Sequence, residues 1–152
     1  MLVYNIADFE RNFDTFDFKQ LASLKKFSPD LLVMQIGENV GIDEHKTLEL
    51  FEKKYRKLIS YFKAKNKLSV VCTTPFFFSE PMRNAITKAA EQTGARVADI
   101  SSLTIEDPEN FANDEPNYPG DRSVWRVEGI GMHPGDKGME NIARILFENI
   151  DL

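Results

Sequence analysis

The sequence predicts an α/β fold, a three-layer α/β/α sandwich built on a mostly parallel sheet. Two observations carry that expectation. Short apolar runs of strand length recur along the chain, and stretches with helical amphipathic period separate them. Leu31-Leu32-Val33-Met34-Gln35-Ile36 is nearly uninterrupted, follows Ser28-Pro29-Asp30 and stops at Gly37, as a strand buried on both faces would. Leu68-Ser69-Val70-Val71-Cys72-Thr73 is the second such run and ends at Pro75. Ala95-Arg96-Val97-Ala98-Asp99-Ile100 is a weaker third, and Leu2-Val3-Tyr4-Asn5-Ile6 reads as a further strand at the start. Strands in this alternation imply right-handed crossovers.

The helices follow from spacing. Phe18, Leu21, Leu24 and Phe27 suggest a short helix before the first strong strand. Leu48, Phe51, Tyr55, Leu58, Ile59 and Phe62 share one face of a helix over residues 46–65, with lysines on the other. His45 stands at its entry and reads as a cap or a solvent-facing residue. Met82, Ile86, Ala89, Ala90 and Thr93 form a second stripe, with Ser79 as N-cap and Gly94 as C-terminal stop. Ile142, Ala143, Leu146, Phe147 and Ile150 form a last one, behind the turn Pro134-Gly135-Asp136. Phe76, Phe77 and Phe78 read as packing under the Ser79 helix, with a pocket wall as the other reading. No repeat, linker or low-complexity tract divides the 152 residues, which are expected to form one domain.

Composition narrows the function classes. The chain is 42% hydrophobic and 28% charged, enough for one core. A formal charge of −5 argues against a nucleic-acid partner. No apolar run reaches membrane-spanning length, and no signal-peptide pattern stands at the start, which leaves the compartment open. The single cysteine, Cys72, excludes an intramolecular disulfide and reads as a small buried hydrophobe. Two histidines without a Cys cluster or His-Glu spacing provide no recognisable metal set, and no cofactor is implied.

Ligands of open α/β sheets bind beyond the carboxyl ends of the strands. Those ends are Gly37-Glu38-Asn39-Val40, the segment from Thr73 to Phe78, and the stretch after Ile100. That last stretch runs past Pro108, Pro116, Pro119, Gly120, Trp125, Gly129 and Gly131 to His133. Its acidic and aromatic residues read either as a pocket mouth or as a solvated excursion. His133 precedes a Pro-Gly-Asp turn and a helix, an arrangement that aims an imidazole out of a loop held by a rigid element.

These residues carry a resemblance. The segment from Pro29 to Asn39, a strand ending in Gly37-Glu38-Asn39, is similar to the third sequence block of the SGNH (GDSL-type) hydrolases. His133-Pro134, with Gly138 and Ile142-Ala143, resembles their last block. The likeness covers most of residues 29–150 and implies a flavodoxin-like sheet of order 2-1-3-4-5. It implies that Asn39 donates to the oxyanion of a tetrahedral intermediate, a contribution worth about 10²–10³ in turnover. It implies that Gly37 turns the backbone off the strand beside that oxyanion site, and that His133 is the base of serine acyl transfer. Tyr4-Asn5-Ile6-Ala7 resembles the second block, with Ala7 in the place of a glycine and able to offer a backbone N–H.

Two departures bear on activity. The family's orienting aspartate falls three residues before the histidine, where this chain has Ile130; Glu128 and Asp121 are the acids further back, and Glu128 is the candidate. The Gly-Asp-Ser nucleophile block does not occur; Gly120-Asp121-Arg122-Ser123 is a superficial echo that follows no strand. The resemblance thus implies a chain opening at the family's second strand, without its first strand, first helix or serine. Such a sheet has an open central edge, which implies one of three outcomes: residues 2–6 fill it, a second copy covers it in a homodimer, or the chain is one piece of a longer protein, the first two being the expected ones. The expected function is an ester hydrolase acting on acyl or acetyl esters of small molecules or carbohydrates. The alternative is a non-catalytic binding or interaction module descended from one.

Overall fold

The computed structural model describes residues 7–64, 67–112 and 132–150. It is mixed α/β, with three parallel strands, β1 (Leu31–Gln35), β2 (Ser69–Thr73) and β3 (Arg96–Ala98), in the order β1-β2-β3. Leu31 pairs with Ser69 and Gln35 with Thr73, while Val71 pairs with Arg96 and Thr73 with Ala98. Helix α3 (Leu48–Lys63) crosses from β1 to β2, and α4 (Glu80–Thr93) from β2 to β3. The three strongest sequence-predicted strands are all present. The proposed strand at residues 2–6 and the loop with Trp125, Ser123 and Glu128 lie outside the described residues.

Local chemistry sets the boundaries. The Thr47 hydroxyl accepts the Leu50 N–H at 3.2 Å and opens α3 one residue before its apolar stripe. Gly94 closes α4 at φ 63°, its N–H returning to the carbonyls of Ala90 and Glu91. Lys63 at the end of α3 donates to the carbonyls of Thr93 and Gly94, both at 2.8 Å, tying the two helix ends together. The helix expected around residues 18–27 is instead a 3₁₀ turn (Phe18–Leu21) followed by α2 (Ala22–Lys26). Asp17 caps the turn through the Lys19 N–H, and Phe27 ends 64% exposed. β3 is shorter than its apolar run because the Thr74 hydroxyl takes the Ile100 and Ser101 N–H groups at 2.9 and 3.1 Å, pulling the chain off the ladder.

One face of the sheet is thickly covered. Met34, Val70 and Cys72 pack with Phe51, Tyr55, Leu58 and Ile59 of α3, with Ile86, Ala89 and Ala90 of α4, and with Phe9 of α1 (Ala7–Asn12). Phe13 meets Phe51 edge to face at 5.5 Å, and Phe51 stacks on Tyr55 at 5.5 Å. Cys72 is fully buried, and burial pushes its thiol up to about 11, so it behaves as the expected hydrophobe. Among the described residues the Tyr55 hydroxyl has no hydrogen-bond partner of oxygen or nitrogen, and its neighbour is the Cys72 thiol.

The opposite face is buried over Val71, Thr73 and Ala98 but open at β1, where Val33 is 40% exposed. A smaller cluster lies on the carboxyl side, where Phe76, Ile100 and Leu103, the first residue of α5 (Leu103–Glu106), pack with Ile142 of α6 (Asp136–Glu148). Among the described residues β1 pairs with β2 only, so its outer edge faces no described strand. No helix of the described residues is long and apolar enough to cross a membrane.

The exit from β1 turns on Gly37, which has φ 135°. A Cβ there would lie 2.9 Å from Ile86 Cδ1 and 3.2 Å from Pro75 Cγ. Gly37→Ala combines backbone strain with overpacking, and urea denaturation is expected to show a loss of about 2–4 kcal/mol. Wild-type stability in that variant contradicts this account of the turn.

Candidate functional site at the carboxyl edge of the sheet

Asn39 follows β1 by way of Gly37 and is held from beneath by Glu10 of α1. Glu10 is 7% exposed, and its carboxylate accepts the Gly37 N–H at 2.7 Å, the Asn39 N–H at 3.4 Å and the Asn39 side-chain amide at 3.4 Å. The Gly37 N–H is therefore committed to Glu10. The Asn39 amide has a second N–H, and the side chain is exposed at the sheet edge. Ala7 is the first residue of α1, the helix that carries Glu10.

Glu38 points the other way. Its carboxylate accepts the N–H groups of Phe76 and Phe77, bridging the exits of β1 and β2. Burial pushes its pKa up, and the charge of Glu10 adds to that effect. The Phe76 and Phe77 N–H groups and the charge of His133 oppose the rise without cancelling it.

His133 is exposed on a loop that is latched by its backbone. Its carbonyl accepts the Ala112 N–H at 2.8 Å, the Gly135 N–H reaches the Asn110 carbonyl at 2.9 Å, and Pro134 bridges Phe111. Asn110 is 1% exposed; its side chain donates to the Leu103 carbonyl and accepts from Asn141 of α6, both at 2.8 Å. Gly138 permits this closeness, since a Cβ would lie 2.1 Å from the Asn110 carbonyl oxygen. The imidazole itself meets the Phe77 ring at 5.8 Å and 74°, edge to face.

The phenylalanine run is thus divided. Phe76 packs against Ile100, Leu103 and Ile142 rather than beneath α4, Phe77 faces His133, and Phe78 is 47% exposed with Arg83 over its ring at 5.8 Å. A backbone that alternates its side chains at a strand exit cannot send three consecutive rings to one face.

The exits of β2 and β3 are joined by a second polar knot. The Thr74 hydroxyl donates to Asp99 at 2.8 Å and the Ser101 hydroxyl at 2.6 Å. Burial pushes the Asp99 carboxyl up, but the bonds from Ser101 and Thr74, together with Arg83, outweigh it and hold the carboxyl below its ordinary value. Ser101 is fully buried and committed to Asp99, so it is not presented to His133.

His45, by contrast, lies far out in solvent, 86% exposed beside Glu44. No group of His, Cys, Asp or Glu among the described residues could hold a metal ion. A cavity of about 600 Å³ opens between the carboxyl ends of α3 and α4, walled by Lys53, Arg56, Lys57 and Lys63. It sits where α4 leads into β3, at the amino ends of the strands, and Lys63 and Arg56 already hold Thr93, Gly94 and Gln92. We place the candidate site at the opposite edge, where the strand exits converge.

The sequence-predicted pair, Asn39 and His133, thus lies on one edge and is connected through Glu38 and Phe77. The proposed orienting acid Glu128 is outside the described residues. Glu10 and Glu38 were not singled out by sequence spacing, whereas Phe77 had a pocket wall as its second reading; for Glu38 an acidic residue between Gly37 and Asn39 at a strand exit was the available signal. Compared with family models and with curated proteins, the chain matches none.

Two outcomes follow. Gly138→Ala forces a methyl onto the Asn110 carbonyl and is expected to destabilise the fold by about 3 kcal/mol, measured by urea denaturation. Glu38 has a folded pKa above its ordinary value of 4.5, so its contribution is full below that pH and is lost as pH rises through the raised value. Stability curves of wild type and Glu38→Gln should therefore converge in acid and separate toward neutral pH, with Gln the more stable. A gap that widens toward acid contradicts this assignment.

Proposed function

We propose that this chain is an ester-hydrolase domain of SGNH type, acting on acyl or acetyl esters of small molecules or carbohydrates. The observation that supports the reading is the convergence of two expected groups at one sheet edge. An exposed imidazole, latched by its backbone, meets the ring of Phe77 after β2, and the Phe77 N–H is bound by Glu38, the neighbour of Asn39 at the exit of β1. In this reading Asn39 supplies an N–H to the oxyanion, His133 moves the proton between nucleophile and leaving group, and Phe77 forms the apolar wall between them.

The nucleophile is the missing element. The Gly-Asp-Ser block is absent from the sequence, and Ser101 is held by Asp99. In this reading the chain carries the base and oxyanion side of the site, and no serine stands in the block that the resemblance assigns to the nucleophile. Losing the serine alone lowers kcat by about 2 × 10⁶ in the subtilisin case, so the chain as given should bind esters without turning them over. That observation equally favours a binding module that keeps the pocket, and the two readings share a first test.

Titration of an O-acetylated monosaccharide into isotope-labelled protein is expected to shift the amides of Gly37, Asn39, Phe77 and His133. Hydrolysis of p-nitrophenyl acetate is expected at equal background rates in wild type and His133→Ala. Absence of shifts at those residues overturns the ester-site reading. Hydrolysis that His133→Ala abolishes, with a serine labelled by a fluorophosphonate, puts the nucleophile within this chain.

A further inference from the structure

We infer that the groove between α3 and α4 is a binding site for a short polyphosphate, a soluble anion with several phosphate groups in line. It lies at the opposite end of the strands from Asn39, and it stands or falls independently of the ester-site reading.

Charge is unevenly distributed along this acidic chain. Residues 53–63 hold Lys53, Lys54, Arg56, Lys57 and Lys63 and no aspartate or glutamate, in a chain of net charge −5. Lys54 turns aside and donates to the Asp14 carbonyl. The other four wall a cavity of about 600 Å³ together with Ser60 and Gln92. That volume falls within the roughly 300–1,000 Å³ of small-molecule sites.

Packing needs account for only part of this charge. Lys63 donates to the Thr93 and Gly94 carbonyls, both at 2.8 Å, and Arg56 donates to the Gln92 side chain. Those acceptors are neutral, so both cations are positioned without being neutralised. Lys53 and Lys57 are exposed, and neither makes a hydrogen bond or ion pair among the described residues. Glu52, the carboxylate next to Lys53, is turned to Lys88 at 2.8 Å. Like charges four residues apart on a helix repel, and an anion between them removes that cost. The helix dipole does not explain them, since it favours cations within the last turn, where only Lys63 stands.

Spacing selects the ligand. Lys53, Lys57, Ser60 and Lys63 fall on successive turns of one face of α3, a row about 15 Å long at 1.5 Å per residue. One phosphate reaches one turn of that row, whereas a chain of phosphates reaches several. Arg56 offers a fork to paired oxygens, and the lysines act as point charges. No carboxylate lines the groove to oppose an anion, and no aromatic ring lines it to stack a base.

The test titrates sodium tripolyphosphate into the isotope-labelled protein at a fixed ionic strength of about 0.15 M, where free surface charges are well screened. Saturable one-to-one binding is expected, with shifts at the amides of Lys57, Ser60 and Gln92. Lys53→Gln/Lys57→Gln, which alters exposed side chains only, is expected to weaken it about tenfold. Lys137→Gln/Arg144→Gln removes the same charge from α6 and is expected to bind as wild type.

Equal weakening in the two double variants, shifts confined to other residues, or no saturation overturns the inference. So does sulfate binding as tightly as tripolyphosphate at equal ionic strength. Tighter binding to phosphatidylserine vesicles or to a polyuridine RNA also overturns it, in favour of a membrane or RNA surface. Acetylated-sugar shifts at Asn39 are expected to be the same in Lys53→Gln/Lys57→Gln as in wild type, so either site can fail without the other.

Discussion

Side chains, not the ladder, stitch together the strand exits of this sheet. Where a parallel ladder ends, backbone N–H groups lose their partners and must find others or be buried unpaired at about 1–3 kcal/mol each. Glu10 meets that requirement between α1 and the turn after β1, Glu38 between β1 and the segment after β2, and Thr74 with Asp99 between β2 and β3. Each is a charge-assisted or hydroxyl bond across elements distant in sequence. Together they hold Gly37, Asn39, Phe77 and Ser101 in one row, and the site is a by-product of that row.

The covalent pattern made part of this legible. β1, β2, α3 and α4 are continuous apolar runs or clean 3.6-residue stripes, and their burial follows from period alone. Gly94 was readable as a stop because a left-handed terminus selects glycine. The partners of Glu10 and Glu38 were not legible, because they depend on contacts 27 and 38 residues away that no local period encodes. The same holds for the phenylalanine run, whose three rings answer to three different neighbourhoods. The latch under His133 was half-visible: Pro134 and Gly135 announce a turn, but only the Asn110 carbonyl explains why Gly138 must lack a side chain.

The two faces of the sheet are not equal. The α3–α4 face has a continuous core from Phe9 to Ala90, while the cluster beneath α6 rests on Phe76, Ile100, Leu103 and Ile142. Within α6 only Gly138 and Ile142 are buried, and Met139 and Phe147 are 56% and 66% exposed. Regions with few buried apolar contacts open at lower free energy than the core. His133 belongs to that lighter unit, whereas Asn39 and Glu38 belong to the heavier one. The imidazole is thus carried on the part of the fold most easily displaced, and its alignment depends on Phe77 and the Asn110 latch more than on the main core.

That division separates the chemistry of the base from the identity of the nucleophile. The field at the sheet edge is set by Glu10, fixed by the Gly37 N–H of the heavier unit, and by Glu38, fixed by the Phe76 N–H of the lighter one. Any group that gives up a proton at this edge, serine hydroxyl, water or ligand, does so in the presence of those two carboxylates. A preorganised carboxylate needs no rearrangement when the imidazolium forms, and fixed charge of this kind accounts for much of the rate enhancement in enzymes. The same field would orient a protic ligand in a protein that only binds. What distinguishes the two is therefore not the imidazole but the presence of an acceptor for the acyl group, and the Gly-Asp-Ser block that would mark one does not occur in the sequence.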